Sequence, residues 1–158
     1  MRILFVCLGN ICRSPTAEGV VRCLLEARGL GPRVEVDSCG IGDWHVGKTP
    51  DRRARDAAAR RGIDLSALRA RQLTDEDFAR CDLLLAMDHD NLAAIEARRP
   101  DRSEVPARLL LDYAGYRDRA VPDPYFGGDQ GFEEVLDLIE AAARGLVAEL
   151  ETHLESPS

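Results

Sequence analysis

Residues 3–6 are apolar without a polar interruption, the pattern of a short strand covered on both faces. The strand delivers Cys7. Pro15 suits the first position of a following helix, where its missing donor costs nothing. Ala17, Val20, Val21, Leu24 and Leu25 then repeat at helical spacing and carry that helix to about Arg28, ahead of Gly29. In residues 33–38, Val34 and Val36 alternate with polar neighbours, which predicts a second strand, parallel to the first. A glycine-rich surface loop over 39–47 follows, and then an alanine- and arginine-rich helix over 50–61, stopped at Gly62.

Residues 70–73 read as a short strand or turn. Thr74 caps a helix through Ala79, with Asp77 as the reciprocal carboxylate. Residues 82–87 form another buried parallel strand, 88–98 a helix and 109–111 a last short strand. Phe132, Val135, Leu136, Ile139, Ala142, Ala143, Leu146, Val147 and Leu150 mark a long terminal helix with one apolar face, modestly weakened by Gly145, and 156–158 are expected to fray. The pattern predicts one α/β domain over 1–155: a three-layer α/β/α arrangement around a parallel sheet of about four strands, with a phosphate-binding loop after the first.

The chemistry concentrates in that loop. Leu8, Gly9, Asn10, Ile11, Cys12 and Arg13 join a strand to a helix start, with Ser14 just inside the helix. Converging backbone N–H groups and the positive end of the helix make an anion site, sized for a phosphoryl group. Arg13 can add two parallel N–H bonds to phosphate oxygens, a geometry lysine lacks. Cys7, on the floor, is held as thiolate by the same amides and guanidinium, and Ser14 is placed to hydrogen-bond its sulfur. Strand before, helix after, Gly9 within and Ser-Pro at the helix start give the Cys-x5-Arg pattern the context it needs.

Residues 7–14, Cys-Leu-Gly-Asn-Ile-Cys-Arg-Ser, closely resemble the signature of the low-molecular-weight protein tyrosine phosphatases. The resemblance spans the chain and implies further roles. Trp44, the only tryptophan, would flank the substrate ring, and Ile11 would pack against it. Ser38 would hold Asn10 in a polar network that includes Ser14. Arg71, Gln72 and the Asp88-x-x-Asn91 stretch match further family motifs. Leu68 stands where many relatives carry a histidine bonded to the serine beside the catalytic arginine, so the network behind Ser14 is expected to be rebuilt or shortened. Some relatives form a reversible disulfide between the positions of Cys7 and Cys12, which makes Cys12 a candidate redox residue; packing is its other role.

The second chemical signal is Asp123, between Pro122 and Pro124, held on a stiff loop tip. A positioned carboxyl is what an aryl phosphate ester requires, first to protonate the departing phenolate and then to activate water. Asp123-Pro124-Tyr125 matches the family motif, and Tyr125 and Phe126 would wall the leaving group.

Composition narrows the partners. Of 158 residues 45% are apolar, enough for a substantial core, and 21 basic against 28 acidic residues give a net charge of −7, which disfavours nucleic acid or an anionic membrane as partner. Cys7, Cys12, Cys23, Cys39 and Cys81 form no disulfide framework and no leader precedes them, so a reducing cytoplasm is expected. His45, His89 and His153 are scattered and give no metal-site signal; no metal or cofactor is expected.

The expected activity is hydrolysis of phosphotyrosine-type monoesters on proteins, or of aryl phosphates, through a cysteinyl phosphate, with inorganic phosphate as product and a monomer or weak dimer as the working form. An arsenate reductase of the same fold would relay through further cysteines. Phosphoarginine-specific relatives carry threonine where this chain has Ile11. A module that captures phosphotyrosine without turnover would not need every catalytic part.

Overall fold

In the computed structural model, which describes residues 1–115, 119–124 and 129–155, the first apolar run forms the central strand β1 (Arg2–Cys7). The chain continues through α1 (Arg13–Ala27), β2 (Glu35–Gly40), α2 (Arg52–Ala59), α3 (Asp75–Arg80), β3 (Leu83–Ala86), α4 (His89–Arg98), β4 (Ala107–Leu109), a 3₁₀ turn (Leu110–Ala114) and α5 (Asp129–Glu155). All strand pairs are parallel, in the order β2-β1-β3-β4, with Cys7 opposite Gly40 and Val6 opposite Ala86.

Alternation along β1 builds both layers. Ile3, Phe5 and Cys7 face one cluster with Val21 and Leu25 of α1 and Leu136, Ile139 and Leu146 of α5. Leu4 and Val6 face the other, with Phe78 of α3 and Ile95 of α4. Phe5, Ile3 and Leu4 are fully buried, and each such side chain stabilises the fold by about 1.5–3 kcal/mol relative to exposure. The expected three-layer parallel architecture is present, and Thr74 and Asp77 form the expected capping box.

Several boundaries differ from expectation. Helix α1 begins at Arg13, so Pro15 sits inside its first turn, where amides still lack an intrahelical partner. The second strand is shifted to Glu35–Gly40, and residues 70–73 contribute only a bridge from Gln72 to Gly40. The last strand ends at Leu109; Leu110 and Leu111 are buried in the 3₁₀ turn. At the end of the arginine-rich stretch, Arg60 and Arg61 reach Glu133 of α5 at 2.8 and 2.7 Å. Tyr125, Phe126 and the 156–158 tail lie outside the described residues.

Gly145 has a role that propensity alone misses. A Cβ there would fall 1.8 Å from the Tyr113 carbonyl oxygen, so α5 crosses the 3₁₀ turn too closely for any side chain. Gly145→Ala, which on an open helix would gain roughly 1 kcal/mol, is expected instead to lose about 1–3 kcal/mol through overpacking. A urea titration will show it as a lower midpoint, and a raised midpoint would refute the close crossing.

Candidate active site

Strand β1 ends at the carboxyl edge of the sheet, where the connections leave in opposite directions, β2 lying on one side and β3 on the other. Cys7 stands there, 3% exposed, and residues 8–12 rise from it to the start of α1. Three hydrogen bonds brace this loop: Ile41 N–H to the Cys7 carbonyl (2.9 Å), Gly42 N–H to that of Leu8 (2.9 Å) and Asp51 N–H to that of Ile11 (2.7 Å). Gly40 permits the approach, since a Cβ on it would lie 3.0 Å from both the Gly9 carbonyl carbon and the Leu8 oxygen. Asn10 turns the loop with φ of 58°, a left-handed conformation that asparagine tolerates better than most residues.

The sulfur is met by donors. Asn10 N–H points to Cys7 Sγ at 3.2 Å, and the Ser14 hydroxyl lies 3.0 Å away. Asn10 Nδ2 donates to Ser14 Oγ (2.8 Å) and Ser38 Oγ (3.0 Å), while its Oδ1 accepts the Arg71 N–H (3.0 Å). Ser38 in turn donates to Glu18 Oε1 at 2.7 Å. Leu68 packs against the large apolar cluster of which Cys7 is one member, and Ser14 has the Cys39 carbonyl as a further acceptor at 3.3 Å.

Arg13 is 3% exposed. Its Nη1 donates to Asp88 Oδ2 (2.7 Å) and to the Val121 carbonyl (2.9 Å), and Nη2 lies 3.7 Å from Asp123 Oδ2. Val121 N–H bonds the Met87 carbonyl at 2.7 Å, which docks the proline-flanked aspartate onto the end of β3. Cys7, Arg13 and Asp123 therefore line one pocket of about 230 Å³, whose walls include Leu8, Ile11, Cys12, Trp44 and His45. Trp44, 63% exposed, lies over Gly42, and His45 lies over Gly9.

Burial and then the nearby Asp51 carboxylate push the Cys12 thiol well up. Burial also raises Glu18, against the opposing hydrogen bonds from Ser38 and Arg22.

Sequence reading assigned no site role to Asp88, Glu18 or His45. Asp88 was read only as the start of a helix in a stretch that matches a family motif; it caps α4, with Oδ1 accepting Asn91 N–H at 2.7 Å, and its second oxygen holds Arg13. His45 carried no spacing signal. Among the described residues, no three or more His, Cys, Asp or Glu side chains converge as a metal site, and no helix is long and apolar enough to cross a membrane.

Comparison with known proteins gives the family. The family model described as low molecular weight phosphotyrosine protein phosphatase matches residues 2–156. A low molecular weight protein-tyrosine-phosphatase of Streptomyces coelicolor is 45% identical over 159 residues, covering 98% of this chain and 96% of its own. Among solved structures, a protein tyrosine phosphatase from Entamoeba histolytica, with Hepes in its active site, superposes with a TM-score of 0.91 at 36% identity, over 97% of this chain and 98% of its own. A Drosophila arginine phosphatase superposes with a TM-score of 0.88 at 31% identity, over the whole of both chains.

Proposed function

Since the chain belongs to the low molecular weight phosphotyrosine protein phosphatase family, we propose that its pocket hydrolyses phosphotyrosine monoesters on proteins in two steps that use Cys7, Arg13 and Asp123. The observation that carries this reading is that Asp123, more than a hundred residues away in sequence, meets Cys7 and Arg13 of the loop at one pocket. Cys7 Sγ attacks phosphorus in line; the S–P bond forms as the aryl P–O bond breaks, and the Asp123 carboxyl gives its proton to the departing oxygen. Asp123 then takes a proton from water, whose oxygen displaces sulfur and releases inorganic phosphate and thiolate. The Arg13 bonds to Asp88 and Val121 use Nη1, so its Nε/Nη2 edge serves as the fork for the equatorial oxygens, alongside the loop amides.

Depth selects the substrate. With Cys7 buried, the phosphorus must lie low in the cup, a reach that an aromatic ring between Ile11, Leu8 and Trp44 supplies and a serine ester does not. Acidic composition fits a phosphoprotein or small aryl phosphate as partner, rather than nucleic acid or membrane, and five unbridged thiols fit a reducing cytoplasm, as monomer or weak dimer. The test is kcat/KM on matched phosphotyrosine, phosphoserine and phosphoarginine peptides in the presence of chelator. Phosphotyrosine should lead by about 10²-fold or more.

The likeness to an arginine phosphatase motivates the second reading, in which phosphoarginine leads. Ile11 offers no hydroxyl to a guanidinium, and that favours tyrosine. Cys12, on the pocket wall, is the proposed resolving thiol: once peroxide converts Cys7 to a sulfenic acid, Cys12 condenses with it and releases water. Dithiol should therefore restore peroxide-treated wild type and restore Cys12→Ser far less; equal recovery removes this role.

A further inference from the structure

Glu18 lies on α1 at 3% exposure and takes no part in the two chemical steps. We infer that it is a positioning residue for the nucleophile, its carboxylate setting the direction of a hydrogen-bond chain that runs through Ser38, Asn10 and Ser14 to the Cys7 sulfur. The inference rests on Cys7 being the nucleophile.

The chain begins at the surface. Arg22 donates to Glu18 Oε2 and also to the Val36 carbonyl at 3.0 Å, so Oε2 must be an acceptor. Oε1 accepts the Ser38 hydroxyl at 2.7 Å. A carboxylate accepts only, so the single Ser38 proton is committed outward and its oxygen is left to receive Asn10 Nδ2 at 3.0 Å. The other N–H of that amide goes to Ser14, and its Oδ1 takes the Arg71 N–H. All positions of the amide are matched, and a flipped Asn10 would set donor against donor. Ser14, having accepted, turns its proton to Cys7 Sγ at 3.0 Å in preference to the Cys39 carbonyl at 3.3 Å. Every bond thus runs in the direction a thiolate needs.

Two effects of Glu18 on the sulfur have opposite signs. Its negative charge, set among Arg22 on its own helix and Asp37 on β2, disfavours a nearby thiolate through space. The ordering it imposes favours one. Removing the charge while keeping the shape tells them apart.

In Glu18→Gln a single amide oxygen faces two donors, Arg22 and Ser38, and the commitment of Ser38 is lost. The pH profile of iodoacetamide alkylation, with the labelled residue located by mass spectrometry, is measured with kcat and KM on an aryl phosphate in wild type, Glu18→Gln, Ser38→Ala and the double variant. The expected result is an alkylation midpoint raised by about one pH unit in each single variant. With it, kcat falls about tenfold and KM stays within about twofold. Glu18→Gln should add nothing once Ser38 is alanine. An unmoved or lowered midpoint in either single variant, or an undiminished Glu18→Gln effect in the Ser38→Ala background, overturns the inference. Ser38→Ala leaves the buried charge in place, so it tests the link even where Glu18→Gln folds poorly. Label found elsewhere than on Cys7 in wild type would overturn the reading of the nucleophile itself, and this inference with it.

Discussion

Replacing Cys7 with serine will lower kcat on an aryl phosphate by about 10⁴-fold or more, while the cup still binds inorganic phosphate. The size follows from what surrounds the sulfur. Asn10 N–H and the Ser14 hydroxyl are donors, suited to hold an anion that is already formed. Neither is a base. A serine hydroxyl placed there would need a base, yet Asp123 must be protonated in this step to serve as the acid, and the hydroxyl is a far weaker acid than a thiol. Binding depends on other parts, the loop amides and Arg13, which the substitution leaves in place, and the variant should match wild type in its urea midpoint. Residual turnover within tenfold of wild type would mean that another residue attacks phosphorus.

The second large effect belongs to Asp123. In Asp123→Asn, kcat on phenyl phosphate should fall by about 10²–10⁴-fold, the span usual for a positioned general acid. The loss should shrink steadily as the leaving phenol becomes more acidic, because a stable phenolate needs no proton. KM should move little, since Asp123 meets Arg13 at 3.7 Å while the loop amides that hold the phosphate are left in place. A loss of the same size across a series from phenyl to dinitrophenyl phosphate would count against proton donation and leave Asp123 as a structural partner of Arg13.

The phosphate loop and the layered fold were legible in the sequence because both are written locally. An unbroken apolar run, a loop of fixed length and a proline in the first helical turn each act within a few residues. The same is true of the Thr74–Asp77 capping box. Features set by tertiary neighbours were not legible. Glu18 reads as a polar position on an amphipathic helix, yet α1 is enclosed from Arg13 to Val21 and has no solvent side there. Asp88 serves two partners with its two oxygens, and only the local one can be foreseen. The leucines at 109–111 fit a strand or a turn equally well by pattern, and where β4 stops is decided by its pairing with β3. Gly145 looked like a defect in a helix because the Tyr113 carbonyl that requires it lies on another element.

The loop carrying Trp44 is pinned at its base, where Gly47 N–H bonds the Ala70 carbonyl at 2.8 Å and Ala70 N–H bonds that of Lys48 at 2.9 Å. Its crest is open, with Trp44 63% and Val46 55% exposed. If the pocket acts as proposed, mutational drift at the crest would retune which phosphoproteins are chosen while the cup beneath stays intact. A lineage built on this scaffold would then be free to diversify its clientele without first redesigning its chemistry.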